Sequence, residues 1–475
     1  MREKKMLNMI VILIIGMLSM SVYGESAVNY ETKQVQTSGG LKTVKLVTAD
    51  LNNPNIQVKT VYAKDKIGEV DSLRNIANQA ATKDSKVVAA INGTFFDAYT
   101  DGQPVGNVQR NGEVKYVGDR GATIGFTEDN KVRVENVKYT IQGATNGDYG
   151  WPNNWFAWGI NRHDDREDAV QILTSEFGKT TKVHNKLSVI TRNNIIVDVK
   201  KGEAPIYSDG FTIVVGDKSL QDRFQKGDTI EYKIVYEDYL TNKEVEWGNV
   251  VHAIGAGPSL VRDGKSVYMP EKEGFKDPKI LSHSSQRSFS GVTKDNKLMM
   301  GTVNGVTIKQ LSKIAYDLGL VEAINLDGGA SSGLIYKDEY KTATGREISN
   351  AIVITEGKVA QKPIKLMIDG KELVCTVKPI MKGNSVMVPM KTIFEAFDIQ
   401  TSWDEQTKTI KGYKENLEIE IPIGKDARIN GRVIALEVPA MSYQGATMIP
   451  IKLIRECLGV EVEWNSKERM VSISK

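Results

Sequence analysis

The chain has 475 residues, a formal net charge of +3, 40% hydrophobic and 25% charged residues, and 42 glycines against 13 prolines. This composition excludes a collagen-like or largely disordered polymer, and the near-neutral charge, free of long like-charge runs, leaves no electrostatic footprint for nucleic acid. The length exceeds what one hydrophobic core organises, so more than one domain is expected.

Residues 1–24 read as a secretory signal. Arg2, Lys4 and Lys5 precede an apolar run over 9–20 and a polar exit, Ser21-Val22-Tyr23-Gly24, in which Val22 and Gly24 form the small-residue pair. An uncleaved membrane anchor is the competing reading, and both place the bulk of the protein outside, secreted or at the cell surface. No second apolar run is long enough to span a membrane. Cys375 and Cys457 are the only cysteines, and an exported location permits a bond between them without requiring it.

In chain order, residues 44–49 and 56–62 suggest a strand pair. Asp71 is placed to cap a helix carrying Leu73, Ile76, Ala77 and Ala80, which leads to a strand over 87–91 ending in Asn92-Gly93-Thr94-Phe95-Phe96-Asp97. Short β-like runs follow over 186–190, 195–199, 211–215, 229–236 and 298–303. Thr307 caps a helix with Ile308, Leu311, Ile314, Ala315 and Leu318 on one face, closed by Gly319. A strand over 321–326 then ends in Asp327-Gly328-Gly329-Ala330-Ser331-Ser332. The expected fold class is α+β: a large, mostly antiparallel sheet domain with helices over 28–357, then a small α+β domain over 363–475. In the small domain a repeat recurs at a spacing of 61. Ile368-Asp369-Gly370-Lys371 matches Ile429-Asn430-Gly431-Arg432, and Pro389, Lys391, Ile393, Glu395 and Trp403 match Pro450, Lys452, Ile454, Glu456 and Trp464. Each copy reads as a hairpin, a strand into proline, an amphipathic helix and a returning strand.

Three segments can carry chemistry. Asp327 at a strand end, followed by Gly328-Gly329 and the hydroxyls of Ser331 and Ser332, allows a ligand to approach the backbone and offers amide groups to an anion; its plain alternative is a tight turn. Asn92 and Thr94 offer neutral hydrogen bonds beside Phe95 and Phe96, whose plain reading is core packing. Arg287, in Ser284-Ser285-Gln286-Arg287-Ser288, has the planar fork that clamps phosphate, against the commoner fate of a surface ion pair. Arg346 is a weaker candidate of the same kind. The segment Tyr149-Gly150-Trp151-Pro152-Asn153-Asn154-Trp155-Phe156-Ala157-Trp158 holds three of six tryptophans and reads as a sugar-stacking platform or an inserted hairpin. His163-Asp164-Asp165 could bind a metal, but four scattered histidines argue against a dedicated transition-metal cluster.

Taken in order, Asn92-Gly93 with Phe95-Phe96, Gly106-Asn107-Val108, Gly257-Pro258-Ser259-Leu260-Val261 with Asp263-Gly264, Arg287, Asn304-Gly305 and Asn325-Leu326-Asp327-Gly328-Gly329 form a set that resembles the phosphodiester glycosidase family over roughly residues 40–357. Thr94 stands where glycine is usual, and Ala330 replaces a third glycine. The resemblance implies hydrolysis of the glycosidic bond of a sugar-1-phosphodiester, with release of free sugar and a phosphomonoester. It implies Asp327 as base or nucleophile, with Arg287 and the Gly328-Gly329 amides holding the phosphate and Asn92, Thr94 and Asn107 orienting sugar hydroxyls. Gly93, Phe95, Arg110, Asn304, Ser331 and Arg346 complete the substrate-facing set, and Asp97 is the candidate second acid. No cofactor is required by the sequence. A divalent metal enters under an alternative, a metal-dependent phosphodiesterase using Asp97 and Asp327; the other alternative is a non-catalytic carbohydrate-binding surface protein. Residues 363–475 resemble the copper amine oxidase N-terminal-like, or stalk, domain. No histidine follows His283, so that domain lacks the imidazoles of a typical copper site, and attachment to a cell wall is the implied role. The expected partner is a glycan or sugar-phosphodiester substrate.

Overall fold

The computed structural model describes residues 26–357, 363–382, 385–443, 445–466 and 468–474, so residues 1–24, read as a signal, lie outside the described residues. Strands make up 49% of the described residues and helices 11%, and sheets therefore carry the architecture. Nearly all pairings are antiparallel; among the described strands, Gly159–Ile160 with Val170–Leu173 and Lys365–Ile368 with Met470–Ser474 are parallel.

Two sheets face each other. One orders Val28–Thr37, Gly40–Asp50, Lys297–Val306, Ser285–Thr293, Leu320–Asn325, Ser259–Arg262 and Lys265–Ser266; the other orders Glu339–Thr342, Leu334–Tyr336, Ser85–Asn92, Asn350–Gly357 and Ile56–Tyr62. Strand alternation divides their side chains. Val47, Leu298, Met300 and Ile324 from the first sheet meet Ile56, Ala89, Ile91, Ile352 and Ile354 from the second in a shared core. The opposite faces are covered by helices. Ile308–Asp317 lays Ile308, Leu311 and Ile314 against Leu46, Phe289 and Ala323, and Leu73–Asn78 lays Leu73, Ile76 and Ala77 against Val61, Ala90 and Val353. The result is a helix–sheet–sheet–helix sandwich.

Two local expectations change. Residues 44–49 and 56–62 do not pair with each other; the turn between them carries the chain from one sheet to the other, where each strand finds different partners. Alternation was legible in both strands, but it is equally satisfied by either partner. The first helix is capped by Ser72, whose hydroxyl accepts from Asn75 N, while Asp71 Oδ1 accepts from Ser72 N and Asn75 Nδ2. The later helix starts as read: Thr307 and Gln310 form a reciprocal capping box, and Gly319, at φ +85°, follows its end.

Between residues 108 and 255 lie three further sheets. Trp155, Trp247, Ile141, Ile172 and Ile213 are fully or almost fully buried in a second core among them, while Ile124, Phe126, Val134 and Ile254 of the same region pack into the sandwich core. Residues 364–473 form another core sharing no member with the sandwich. There, strands ending in Pro389 and Pro450 pair antiparallel, each leading into a short helix, Met390–Ala396 or Ile451–Leu458, and then a strand containing Trp403 or Trp464. Asp369-Gly370 and Asn430-Gly431 both turn hairpins with two positive φ angles, but their surroundings differ. The first hairpin's leading strand lies beside Met470–Ser474, the second's beside Leu417–Pro422. Cys375 and Cys457 are buried free thiols.

Candidate active site

The site forms where three strands of the sandwich end together. Asp327 follows Leu320–Asn325, Asn92 closes Ser85–Asn92, and Arg287 lies near the start of Ser285–Thr293, the strand beside Leu320–Asn325. Asn92 ties them. Its Nδ2 donates to Asp327 O at 2.7 Å, and its Oδ1 accepts from Ser288 Oγ at 2.8 Å and Gly333 N at 3.0 Å. Asp327 N donates to Gly93 O at 3.0 Å. Gly93 is held against Asn350: a Cβ there would sit 2.0 Å from Asn350 Oδ1, the same oxygen that accepts from Thr94 N at 2.9 Å.

The Asp327 carboxyl is only partly open to solvent. Burial pushes it up to about 6, against the opposing pull of the Ser331 hydroxyl, the Gly328 N–H and the positive charges of Arg346 and Arg287. Gly328 N donates to Asp327 Oδ1 at 2.8 Å. The turn then passes through Gly329 at φ +61°, a left-handed geometry that glycine adopts without strain.

Arg287 is almost completely buried, and no carboxylate among the described residues lies at ion-pair distance from it. Its Nη2 donates to Lys279 O at 2.7 Å and His283 O at 2.6 Å, and its Nε to Val306 O at 3.3 Å. Three carbonyls thus fix the plane of the guanidinium. The described residues give Nη1 no acceptor; it lies 3.4 Å from where a Gly328 Cβ would be, and so faces the Asp327 turn. Burial pulls the guanidinium down and Asp327 opposes this. Arg346, whose charge also acts on Asp327, is partly exposed, 5.5 Å from the Tyr99 ring, on a loop joined to the Asp327 turn by Gly345 N donating to Ala330 O at 2.7 Å.

The site therefore brings together Asp327, Arg287, Arg346, Ser331, Gly328, Gly329, Asn92, Gly93 and Thr94. Phe95 lies behind it, packed edge-on against Phe275 with centroids 6.0 Å apart. Asn304 is exposed on the strand paired with that of Arg287. Other expectations are corrected. The Gly328 amide is taken by Asp327 itself, which leaves only Gly329 N of that pair for an anion. Asn92 and Asn107 are buried and hold backbone: Asn107 Nδ2 donates to Thr123 Oγ1 and Val137 O, and its Oδ1 accepts from Gly118 N. Thr94 Oγ1 accepts from Gly106 N at 3.1 Å, again within the scaffold. Arg110 belongs to a different hollow, paired with Asp65 and stacked 5.0 Å over Tyr62. Asp97 is exposed, and the two formal charges acting most strongly on Asp327 are arginines rather than a second acid. Among the described residues no cluster of three or more His, Cys, Asp or Glu side chains is arranged to hold a metal ion. Asn350 and Tyr99 were missed by sequence reasoning. Asn350 carried no chemical signal apart from its partners.

A carboxyl of raised pKa within the field of two guanidiniums, beside a strand end of an antiparallel sandwich, can set a titrating acid against a bound anionic group. The comparisons are consistent with this. Residues 185–355 match the family model described as phosphodiester glycosidase, a stretch containing Arg287, Asn304, Asp327 and Arg346 but not Asn92–Asn107; residues 367–473 match that of the copper amine oxidase N-terminal domain. A crystal structure of a Synechocystis protein superposes with a TM-score of 0.61 at 20% identity, covering 70% of this chain and 62% of that one. The chain thus spans under two thirds of that protein's length. A Burkholderia pseudomallei protein gives 0.53 at 13% identity, covering 66% and 74%. The catalytic domain of zebrafish N-acetylglucosamine-1-phosphodiester alpha-N-acetylglucosaminidase, auto-inhibited by its pro-peptide, gives 0.38 at 15% identity, covering 69% and 82%. A comparison with curated proteins found no match.

Proposed function

We propose that this chain is an exported phosphodiester glycosidase that hydrolyses the glycosidic bond of a sugar-1-phosphodiester on a cell-surface glycopolymer. The observation that carries the reading is the convergence of the Asp327 carboxyl with the unpaired Nη1 of Arg287. Water supplies the hydroxyl that replaces phosphate at the anomeric carbon, the C1–O bond breaks, and the phosphomonoester departs with that oxygen. Asp327, ionised above about pH 6, takes the water proton or attacks the carbon itself. The leaving group is already a stable anion, so holding its charge matters more than protonating it. Arg287, prevented from collapsing onto Asp327 by its three carbonyl partners, presents one N–H edge to the phosphoryl oxygens, and Arg346 closes the other side. Residues 363–475 are read as two copies of one 61-residue unit serving attachment to the cell wall, with residues 1–24 as the export signal.

The test is turnover of a panel of glycosyl-1-phosphodiesters in ¹⁸O-water. Free sugar carrying the label plus unlabelled phosphomonoester supports the reading. Sugar phosphate plus alcohol would transfer the attack to phosphorus, and binding without turnover would leave a carbohydrate-binding protein. Binding of the stalk segment to isolated cell walls, compared with the chain truncated at residue 357, tests the attachment role.

A further inference from the structure

A groove of about 1090 Å³ lies on the region between residues 108 and 255, lined in part by the tryptophan-rich segment and by 117–121. That is at or above the top of the range of about 300–1,000 Å³ usual for small-molecule pockets. Its walls follow from strand alternation. Asn154–Ala157 pairs with 141–144, so Trp155 turns inward onto Gly143 while Phe156 turns out. Trp151, Phe156 and Trp158 are 76%, 54% and 56% exposed, whereas Trp155 is 2% exposed. The two exposed indoles are each backed by a guanidinium. Arg223 lies 4.2 Å from the Trp151 ring, fixed by Pro152 O and Asn154 O, and Arg166 lies 4.5 Å from the Trp158 ring, fixed by Asp164. One face of each ring is thus occupied and the ring is held in place.

The charges of the groove cancel. Five aspartates line it with five arginines or lysines, and Arg120 and Arg162 both approach Asp119 while His163 meets Asp165. A polyanion or polycation gains nothing there, but hydroxyl-rich rings find both donors and acceptors between the flat aromatic walls. The groove is linked to the candidate active site through the scaffold, by way of Gly118 and Gly121 in its lining. Gly118 packs on Gly106, which donates to Thr94, the neighbour of Gly93 and so of Asp327; Gly121 packs on Phe275, the partner of Phe95.

We propose that this groove binds a neutral oligosaccharide stretch of the substrate, with sugar rings stacked on Trp151 and Trp158, so that the substrate is a glycan chain rather than a small glycosyl phosphodiester. The proposal rests on the glycosidase reading for its choice of ligand, and its test needs no turnover. Full-length protein carrying Asp327→Asn is titrated calorimetrically with chitohexaose, cellohexaose, mannohexaose, the corresponding monosaccharides and heparin. At least one neutral hexasaccharide binds saturably and at least about tenfold more tightly than its monosaccharide. Adding Trp151→Ala and Trp158→Ala weakens it at least about tenfold, and Trp158→Phe, which keeps a ring, restores part of the loss when placed with intact Trp151. Circular dichroism establishes that each variant is folded. Absence of binding to every neutral hexasaccharide, binding confined to heparin, or equal affinity after both tryptophans are removed would overturn the proposal. Binding without glycosyl release by the intact enzyme would instead count against the glycosidase reading alone.

Discussion

Replacing Asp327 with asparagine should abolish sugar release and at the same time stabilise the sandwich at neutral pH. The carboxyl ionises near 3.8 in an unfolded chain and at about 6 in the fold, so above pH 6 the folded state carries a charge it disfavours. The shift of roughly two units corresponds to about 3 kcal/mol at pH 7.5, and partial exposure of the group lowers this to roughly 1–3 kcal/mol. The sign is opposite to that of a salt-bridged acid: the destabilisation is fully present above the folded value and disappears as pH falls toward the unfolded one. Half-way, near pH 5, about half of it remains, and by pH 4.5 only about a third, roughly 0.3–1 kcal/mol. The introduced asparagine would retain an oxygen to accept from Gly328 N, so little else changes. Denaturant unfolding of both proteins at pH 7.5, 6 and 4.5, followed on the transition of the large domain, measures the difference. A variant that is less stable at pH 7.5, or whose advantage does not shrink in acid, would refute the assignment of Asp327 as a carboxylate held in an unfavourable site.

If ionised Asp327 is the working form, kcat/KM should fall about tenfold per pH unit below about pH 6. Ser331→Ala, which removes a hydrogen bond favouring the carboxylate, should move that limb to higher pH, and an unmoved limb would detach Ser331 from the reacting group. Arg346→Ala should lower kcat by about 10²–10³ with stability changed by under about 1 kcal/mol, because its side chain is partly exposed. Arg287→Ala should cost both activity and at least about 2 kcal/mol of stability, since it orphans acceptors at Lys279, His283 and Val306; equal melting of the two arginine variants would contradict the packing described. Gly106→Ala places a Cβ 1.7 Å from Gly255 O and should leave little folded protein on expression, as read by soluble yield.

The sequence made the sheet-rich class legible because alternation and turn residues are local. It also exposed Asp327 and Arg287, each sitting beside a strand pattern strong enough to place it. Pairing was less accessible. Residues 44–49 and 56–62 have compatible patterns, and only the packing of two sheets decides that they part. The roles of Asn92 and Asn107 were misread for a related reason: an amide beside a ligand and an amide bridging three backbone segments look identical in one dimension. Arg110 drew attention by proximity along the chain, yet Asp65 and Tyr62, from another loop, engage it. Asn350 gave no signal apart from Gly93 and Thr94, which it holds across 256 residues of separation.

The Asp327 carboxyl sits just beyond a sandwich strand, while Trp155 and the strands behind the aromatic groove pack into a second core. Under the proposed function, changes at the exposed groove residues Trp151, Phe156 and Trp158 would alter which polymer is chosen while leaving the sandwich core intact. Chimaeras exchanging residues 137–236, none of which belongs to the sandwich core, offer an experimental route to the same end.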